Sequence, residues 1–326
     1  MLGRRPLIAG LTLAATRVRA QARKSLIVAE PLHSTGYLPL YIAVAKGYFA
    51  ADGIDVRILT VENGSGHTNA VLSGQAFAFI GGPEHDAFAK LRGAELRSVV
   101  NIVDRGNVYV VAAKNVDADA NDLAGTFRGK TIATGPYGGT PNSITRYLCG
   151  KAGLTLATDV KLAETTSAGA LAAIAARQAQ FAVVTEPILT QGIRKGLWDE
   201  PFYNVPKQPG PYAYSTINVR QDSIETDPVT VEAFVRNLIR GLRFTRDNPD
   251  EASAIARREF PTMPADDMKA TLDRSFADEL WSTDGLVSQA AWTTAKDVAM
   301  TAGLLKQDVP YEAIIDMSFV HRVAAG

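Results

Sequence analysis

Five short segments of this chain carry side chains and backbone groups suited to holding a small polar molecule. The first, Glu30-Pro31-Leu32-His33-Ser34-Thr35-Gly36-Tyr37, offers one carboxylate, one imidazole and the N–H groups of a helix start. Glu30, His33 and Tyr37 are its candidates, and a plain helix-entry loop capped by Ser34 or Thr35 is the competing reading. The second, Asn63-Gly64-Ser65-Gly66, has glycines that let backbone approach a ligand closely, with Ser65 as the candidate. In the third, Gly81-Gly82-Pro83-Glu84-His85-Asp86, favourable interaction with a helix dipole is enough to explain Asp86. Glu84 is the stronger candidate because it follows Gly-Gly-Pro. The fourth, Thr134-Gly135-Pro136-Tyr137-Gly138-Gly139-Thr140-Pro141-Asn142-Ser143, is the most site-like, with Tyr137, Gly138 and Thr140 as candidates. The fifth is Thr185-Glu186-Pro187, where Glu186 is either a ligand acceptor or a helix-start residue. Tyr212 joins Tyr37, Tyr137 and Tyr214 as rings able to sandwich a flat ligand, or equally to pack at a hinge or in the core.

Enzymatic constellations are mostly missing. There is no Gly-x-Ser-x-Gly elbow, His-Glu-x-x-His pair, Walker loop or dinucleotide glycine fingerprint. The histidines, His33, His67, His85 and His321, are scattered, and only His33 and His85 fall on segments expected at a cleft. Those two with Glu30 or Glu84 are the one conceivable metal set, and Glu30 with Glu84 the one acid–base pair, yet paired carboxylates occur by chance in most sequences. No catalytic residue, metal ligand or cofactor is therefore assigned. Cys149 is the sole cysteine, which excludes an internal disulfide and a thiolate metal site.

The elements that would position these segments alternate. Ser25 to Val28, Ile54 to Leu59, Phe77 to Ile80 and Leu96 to Val103 read as strands, separated by helices from Leu38 to Ala45, His67 to Leu72 and Glu84 to Leu91. A strand from Asn107 to Ala113 follows. A second alternating unit then has strands at 130–134, 159–163 and 181–184 and helices at 140–150 and 168–177. From Asp227 onward the pattern is helical only. Such alternation predicts largely parallel sheets covered by helices, with ligand loops at the carboxyl ends of the strands.

The chain has 326 residues, enough for two lobes, and its 34 basic residues balance 34 acidic ones. That balance gives no electrostatic case for nucleic acid. Arg4 and Arg5 precede an apolar run from Leu7 to Ala15 and then small residues around Ala20 and Ala22, the order of a signal peptide. Adjacent arginines also permit the twin-arginine route. Residues 1–22 are thus expected to be cleaved, since about ten apolar residues fall short of the roughly 20 that span a bilayer.

The stretch from Gly36 to Val56, with Ala43-x-x-Lys46-Gly47-Tyr48-Phe49-x-x-x-Gly53-Ile54-x-Val56, resembles the solute-binding proteins of ABC importers for nitrate, alkanesulfonates, taurine and thiamine-precursor pyrimidines. Leu72 to Phe79, Gly129 to Ala133, Thr185-Glu186-Pro187 and Trp281 to Gly285 follow in the family's order. The resemblance implies a type II periplasmic-binding-protein fold: two α/β lobes with a ligand cleft between them, and extra C-terminal helices on the first lobe. Lobe 1 would comprise 23–110 plus 213–326, and lobe 2 would comprise 111–212. It further implies a periplasmic monomer that captures a small molecule and meets an ABC permease in the inner membrane. The candidate loops carry Glu30, Glu84, Asp86 and Glu186 against Arg105 as the one firm cation, which favours a nitrogen heterocycle such as a pyrimidine over sulfonate or nitrate. Two other classes share the fold. One is enzymes: pyrimidine-forming thiamine enzymes, which carry a cysteine-rich motif, or menaquinone-pathway lyases, which lack an export signal. The other is a ligand-sensing binding protein.

Overall fold

The computed structural model describes residues 23–208 and 210–325. The expected signal segment, residues 1–22, lies outside the described residues. Ten strands run in chain order: β1 (Lys24–Glu30), β2 (Ile54–Thr60), β3 (Ala78–Gly81), β4 (Leu96–Val103), β5 (Tyr109–Ala112), β6 (Thr131–Thr134), β7 (Lys161–Glu164), β8 (Phe181–Val184), β9 (Tyr203–Asn204) and β10 (Ser215–Arg220). They form two five-stranded sheets, in the orders β2-β1-β3-β10-β4 and β7-β6-β8-β5-β9. Inner strands such as β3 and β8 are buried along their whole length, as expected for strands covered on both faces.

Neither sheet is purely parallel. β1 pairs parallel with β2 and β3, but β10 runs antiparallel between β3 and β4. In the second sheet β6 pairs parallel with β7 and β8, while β5 is antiparallel to both β8 and β9. β10 and β5 each follow directly after a crossing between the sheets, so they start at the end where their parallel neighbours stop. The two crossings, residues 104–108 and 205–214, run together: Tyr212 N–H donates to the Asp104 carbonyl at 3.1 Å and Tyr214 N–H to the Val103 carbonyl at 3.0 Å.

The helical tail begins at Pro228–Asp247, where the Asp227 side chain accepts from Thr230 N–H and Pro228 occupies the first turn. Val231, Phe234, Val235, Leu238, Ile239 and Leu242 recur at helical spacing and are all buried, giving the helix one apolar face against the first sheet's layer. The tail does not stay with that sheet. Helix Gln289–Thr301 packs on Thr140–Lys151 of the second half, and Ala265–Ala277 packs on Ile188–Arg194.

Helix Ala265–Ala277 is held on both sides. Met268 and Leu272 sit in an apolar cluster with Leu38 and Ile42 from the first half. Its other face carries Arg274, whose Nε donates to Glu186 Oε1 at 2.9 Å and whose Nη1 donates to Glu200 Oε2 at 2.6 Å. Just beyond it, Asp278 accepts from the Tyr109 hydroxyl at 2.7 Å. No described helix is long and apolar enough to cross a membrane.

Candidate ligand-binding site

A pocket lies between the two sheets, at the carboxyl ends of six strands. From the first sheet come Pro31 and Leu32 after β1, Glu62, Asn63 and Gly64 after β2, and Gly81 and Gly82 at the end of β3. The second sheet contributes Thr134, Gly135, Pro136, Gly139 and Thr140 at the end of β6 and in the turn after it, Thr166 after β7 and Thr185 after β8. Tyr37, His67, His85, Tyr214 and Ser215 complete the polar and aromatic part of the wall. This is where open α/β sheets place their ligands, because strand ends stop at a common level and the loops beyond them are free to vary. No Lys or Arg is among the described residues lining it.

Glu84 sits behind Gly82 at the pocket's edge and is 1% exposed. Its Oε1 accepts from the Thr140 hydroxyl at 2.6 Å, a bond from one half of the molecule to the other, and its Oε2 has no partner. Burial pushes this carboxyl up to about 7, with the Thr140 bond working the other way. A Cβ on Gly82 would overlap the Glu84 carboxylate, so a larger residue there would displace it from its present position. His67 and His85 stack edge to face with centroids 4.6 Å apart. Burial holds His67 well below the usual imidazole range and lowers His85 to about 4, so both rings are neutral near pH 7. A neutral imidazole offers one donor and one acceptor, suited to an uncharged polar group.

The other sequence candidates are distributed unevenly around this pocket. Tyr37 and Thr140 line it. Glu30 is buried but spent: it accepts from Tyr41 at 2.5 Å and Thr60 at 2.7 Å and meets His33 at 3.0 Å. His33 lies off the wall, between Glu30 and Glu259 and against Tyr41 and Phe260, and the Glu30 bond raises its pKa. Ser65 precedes helix Gly66–Leu72 while its neighbours Asn63 and Gly64 face the pocket. Tyr137 is 59% exposed with the Arg146 guanidinium 5.0 Å over its ring, and Gly138 takes φ +85° beside it. Glu186 is engaged by Thr190, Thr271 and Arg274. Tyr212 packs edge-on against Tyr214. Arg105 pairs with Asp104 and Glu279, away from the wall. Among the described residues no group of three or more His, Cys, Asp or Glu is placed to hold a metal ion.

His67 is the pocket residue that sequence reasoning passed over. It lies on a helix just after the Asn63 to Gly66 turn, where the turn and not the histidine drew notice, and only the fold brings it beside His85. Thr166 and Ser215 carry no local signal either.

Residues 34–252, more than half of the chain, match the family model described as NMT1/THI5 like. The chain belongs to this family. Among curated relatives, the NMT1/THI5-like chain is 29% identical over 304 residues to the riboflavin-binding protein RibY of Chloroflexus aurantiacus, covering 87% of this chain and 82% of RibY. It is 22% identical over 304 residues to Bacillus subtilis YtlA, which is named for a binding role, covering 91% and 89%. The 4-amino-5-hydroxymethyl-2-methylpyrimidine phosphate synthase THI11 of Saccharomyces cerevisiae is 28% identical, over 35% of this chain and 37% of its own length. Among solved structures, the alkanesulfonate-binding protein SsuA of Xanthomonas axonopodis pv. citri bound to MOPS superposes with a TM-score of 0.72 at 15% identity, covering 91% of this chain and 99% of SsuA. The periplasmic nitrate-binding protein NrtA of Synechocystis PCC 6803 gives 0.68 at 17%, covering 93% and 89%. The fold of the NMT1/THI5-like protein is therefore that of periplasmic binding proteins, in agreement with the two α/β lobes expected from the sequence.

Proposed function

We propose that this protein is the solute-binding component of an ABC importer, and that it captures a small nitrogen heterocycle between its two halves for delivery to a permease. One observation carries the choice of ligand: the pocket wall combines neutral imidazoles, hydroxyls and apolar surface, with no lysine or arginine among the described lining residues. A sulfonate or nitrate enclosed there would lose its hydration without gaining a cation. RibY, named for an uncharged heterocycle, supports the same chemistry. The synthases are matched over little more than a third of their length, which favours binding over catalysis. The crossings at 104–108 and 205–214 would serve as the hinge, dividing lobes 23–110 plus 213–326 from 111–212. Export by the expected signal at 1–22, through the general or twin-arginine route, would place a monomer in the periplasm.

A thermal-shift panel of riboflavin, cytosine and 4-amino-2-methylpyrimidine against taurine, ethanesulfonate and nitrate tests this reading. A ligand at about 100 times its Kd that binds only the folded state adds roughly 2.7 kcal/mol. At least one heterocycle should stabilise the protein and the anions should not. Stabilisation by sulfonates alone would overturn the ligand class.

A further inference from the structure

We infer that His67 is a specificity-determining residue of this pocket, which reads an uncharged N–H or lone-pair group of the bound molecule; this rests on the solute-binding reading above. His67 is 1% exposed, lines the pocket, and has no hydrogen-bond partner on either Nδ1 or Nε2. An imidazole buried with both nitrogens unpaired suffers the full loss of hydration and recovers nothing from the protein. Ring neighbours hold the imidazole in place without bonding to it: Phe79 lies edge-on at 5.1 Å and the His85 ring at 4.6 Å.

Gly81 provides an independent observation. A Cβ built there would come 2.8 Å from His67 Nε2 and 3.1 Å from its Cδ2. The imidazole thus occupies the place a side chain at residue 81 would take, and glycine there is what lets the ring sit at the wall, which Gly81 itself lines. Thr185 adds a second unpartnered polar atom, its buried Oγ1, to the same wall. A neutral ring nitrogen, a hydroxyl and no cation suit an uncharged heterocycle edge with alternating donors and acceptors. The two nitrogens of a neutral imidazole accept one proton donor and serve one lone pair, so an edge with its N–H groups methylated would leave the accepting nitrogen without a donor.

The test uses the full chain at pH 7 and four probes: cytosine, riboflavin, 1,3-dimethyluracil with its N–H groups blocked, and ethanesulfonate. Affinity by calorimetry and the Tm of the unliganded protein are measured for wild type, His67→Phe, His67→Gln and Gly81→Ala. His67→Phe should leave the unliganded Tm equal or higher, because it removes an unsatisfied polar ring at nearly constant shape. It should weaken whichever of cytosine or riboflavin the wild type binds by at least tenfold, with His67→Gln losing less. Gly81→Ala should weaken the same probe by displacing the ring, and 1,3-dimethyluracil should bind at least tenfold more weakly than that probe. If His67→Phe binds the wild type's probe within threefold, the inference is overturned whatever that probe is. If ethanesulfonate is the probe bound and His67→Phe loses it tenfold, the heterocycle reading falls while His67 stands as a reader of the site. If the wild type binds none of the four, the Tm decides: a raised or equal Tm in His67→Phe supports an unpaired polar ring, and a lowered one makes His67 a packing residue.

Discussion

The Thr140 hydroxyl donates to Glu84 Oε1 at 2.6 Å, joining the helix that starts after β6 to the one that starts after β3. The acceptor is a fully buried carboxyl with its second oxygen free. One side chain behind the pocket thus ties an element of the first sheet's half to one of the second.

Thr140→Val keeps the shape of residue 140 and removes that bond, leaving both Glu84 oxygens without a partner. An unmade buried hydrogen bond costs about 1–3 kcal/mol. The cost falls on the closed arrangement, so ligand affinity should drop by roughly tenfold or more. Small-angle scattering should show a larger radius of gyration than wild type at the same ligand concentration. Equal affinity and equal dimensions would remove Thr140 from the closing mechanism.

Gly64→Ala addresses closure from the opposite loop. A Cβ at Gly64 would overlap the Tyr137 backbone carbonyl oxygen, and backbone yields less readily than the tip of a side chain. The variant should be held further open, with weakened ligand binding and an unliganded Tm close to wild type, since the loop is partly exposed. Calorimetry together with scattering checks this, and undiminished affinity would show that the loops do not need to meet.

Glu84 also sets a pH dependence. Its carboxyl is raised from 4.5 to about 7, so between those values the folded protein keeps a proton that the unfolded chain releases. The group's contribution to stability is thus greatest below pH 4.5 and declines as pH rises to 7, by up to roughly 3 kcal/mol. His85, lowered from 6.5 to about 4, acts in the opposite sense, its contribution being lost as pH falls through that window. Comparing Glu84→Gln with wild type largely cancels the histidine part. Urea unfolding from pH 5 to 8 should show the variant gaining on wild type as pH rises, and a flat difference would mean that Glu84 titrates as an ordinary carboxyl.

Arg274 and Glu200 form the control pair for the contact on the other side of the molecule. Removing the guanidinium by Arg274→Ala leaves Glu186, whose side chain is 2% exposed, with hydroxyl and N–H donors but no cation. Breaking a buried pair on one side costs about 3–5 kcal/mol, and the remaining Thr190 and Thr271 bonds should hold the loss near the lower end. Glu200 is 66% exposed, so Glu200→Ala should cost less than about 1 kcal/mol. Denaturant unfolding of both variants distinguishes a buried tie from a surface pair.

The sequence by itself determined the α/β class and most elements, because periodicity reports how each segment is buried. Helix Leu38–Ala45 and strands Leu96–Val103 and Phe181–Val184 stand where their patterns place them. It also determined which loops stand at strand ends, since a loop between a strand and a helix can be recognised locally. Tertiary structure alone decided which way each loop's side chains turn. Glu30 and Glu186 look alike as free carboxylates in the sequence, yet one is consumed by Tyr41, Thr60 and His33 and the other by Arg274, partners up to 88 residues away. β10 enters between β3 and β4 from more than 100 residues downstream, and no local pattern specifies that neighbour. His67 follows a turn the sequence does mark, but its place beside His85 and Gly81 was not legible, since a sequence records neither distance nor the lack of a hydrogen-bond partner.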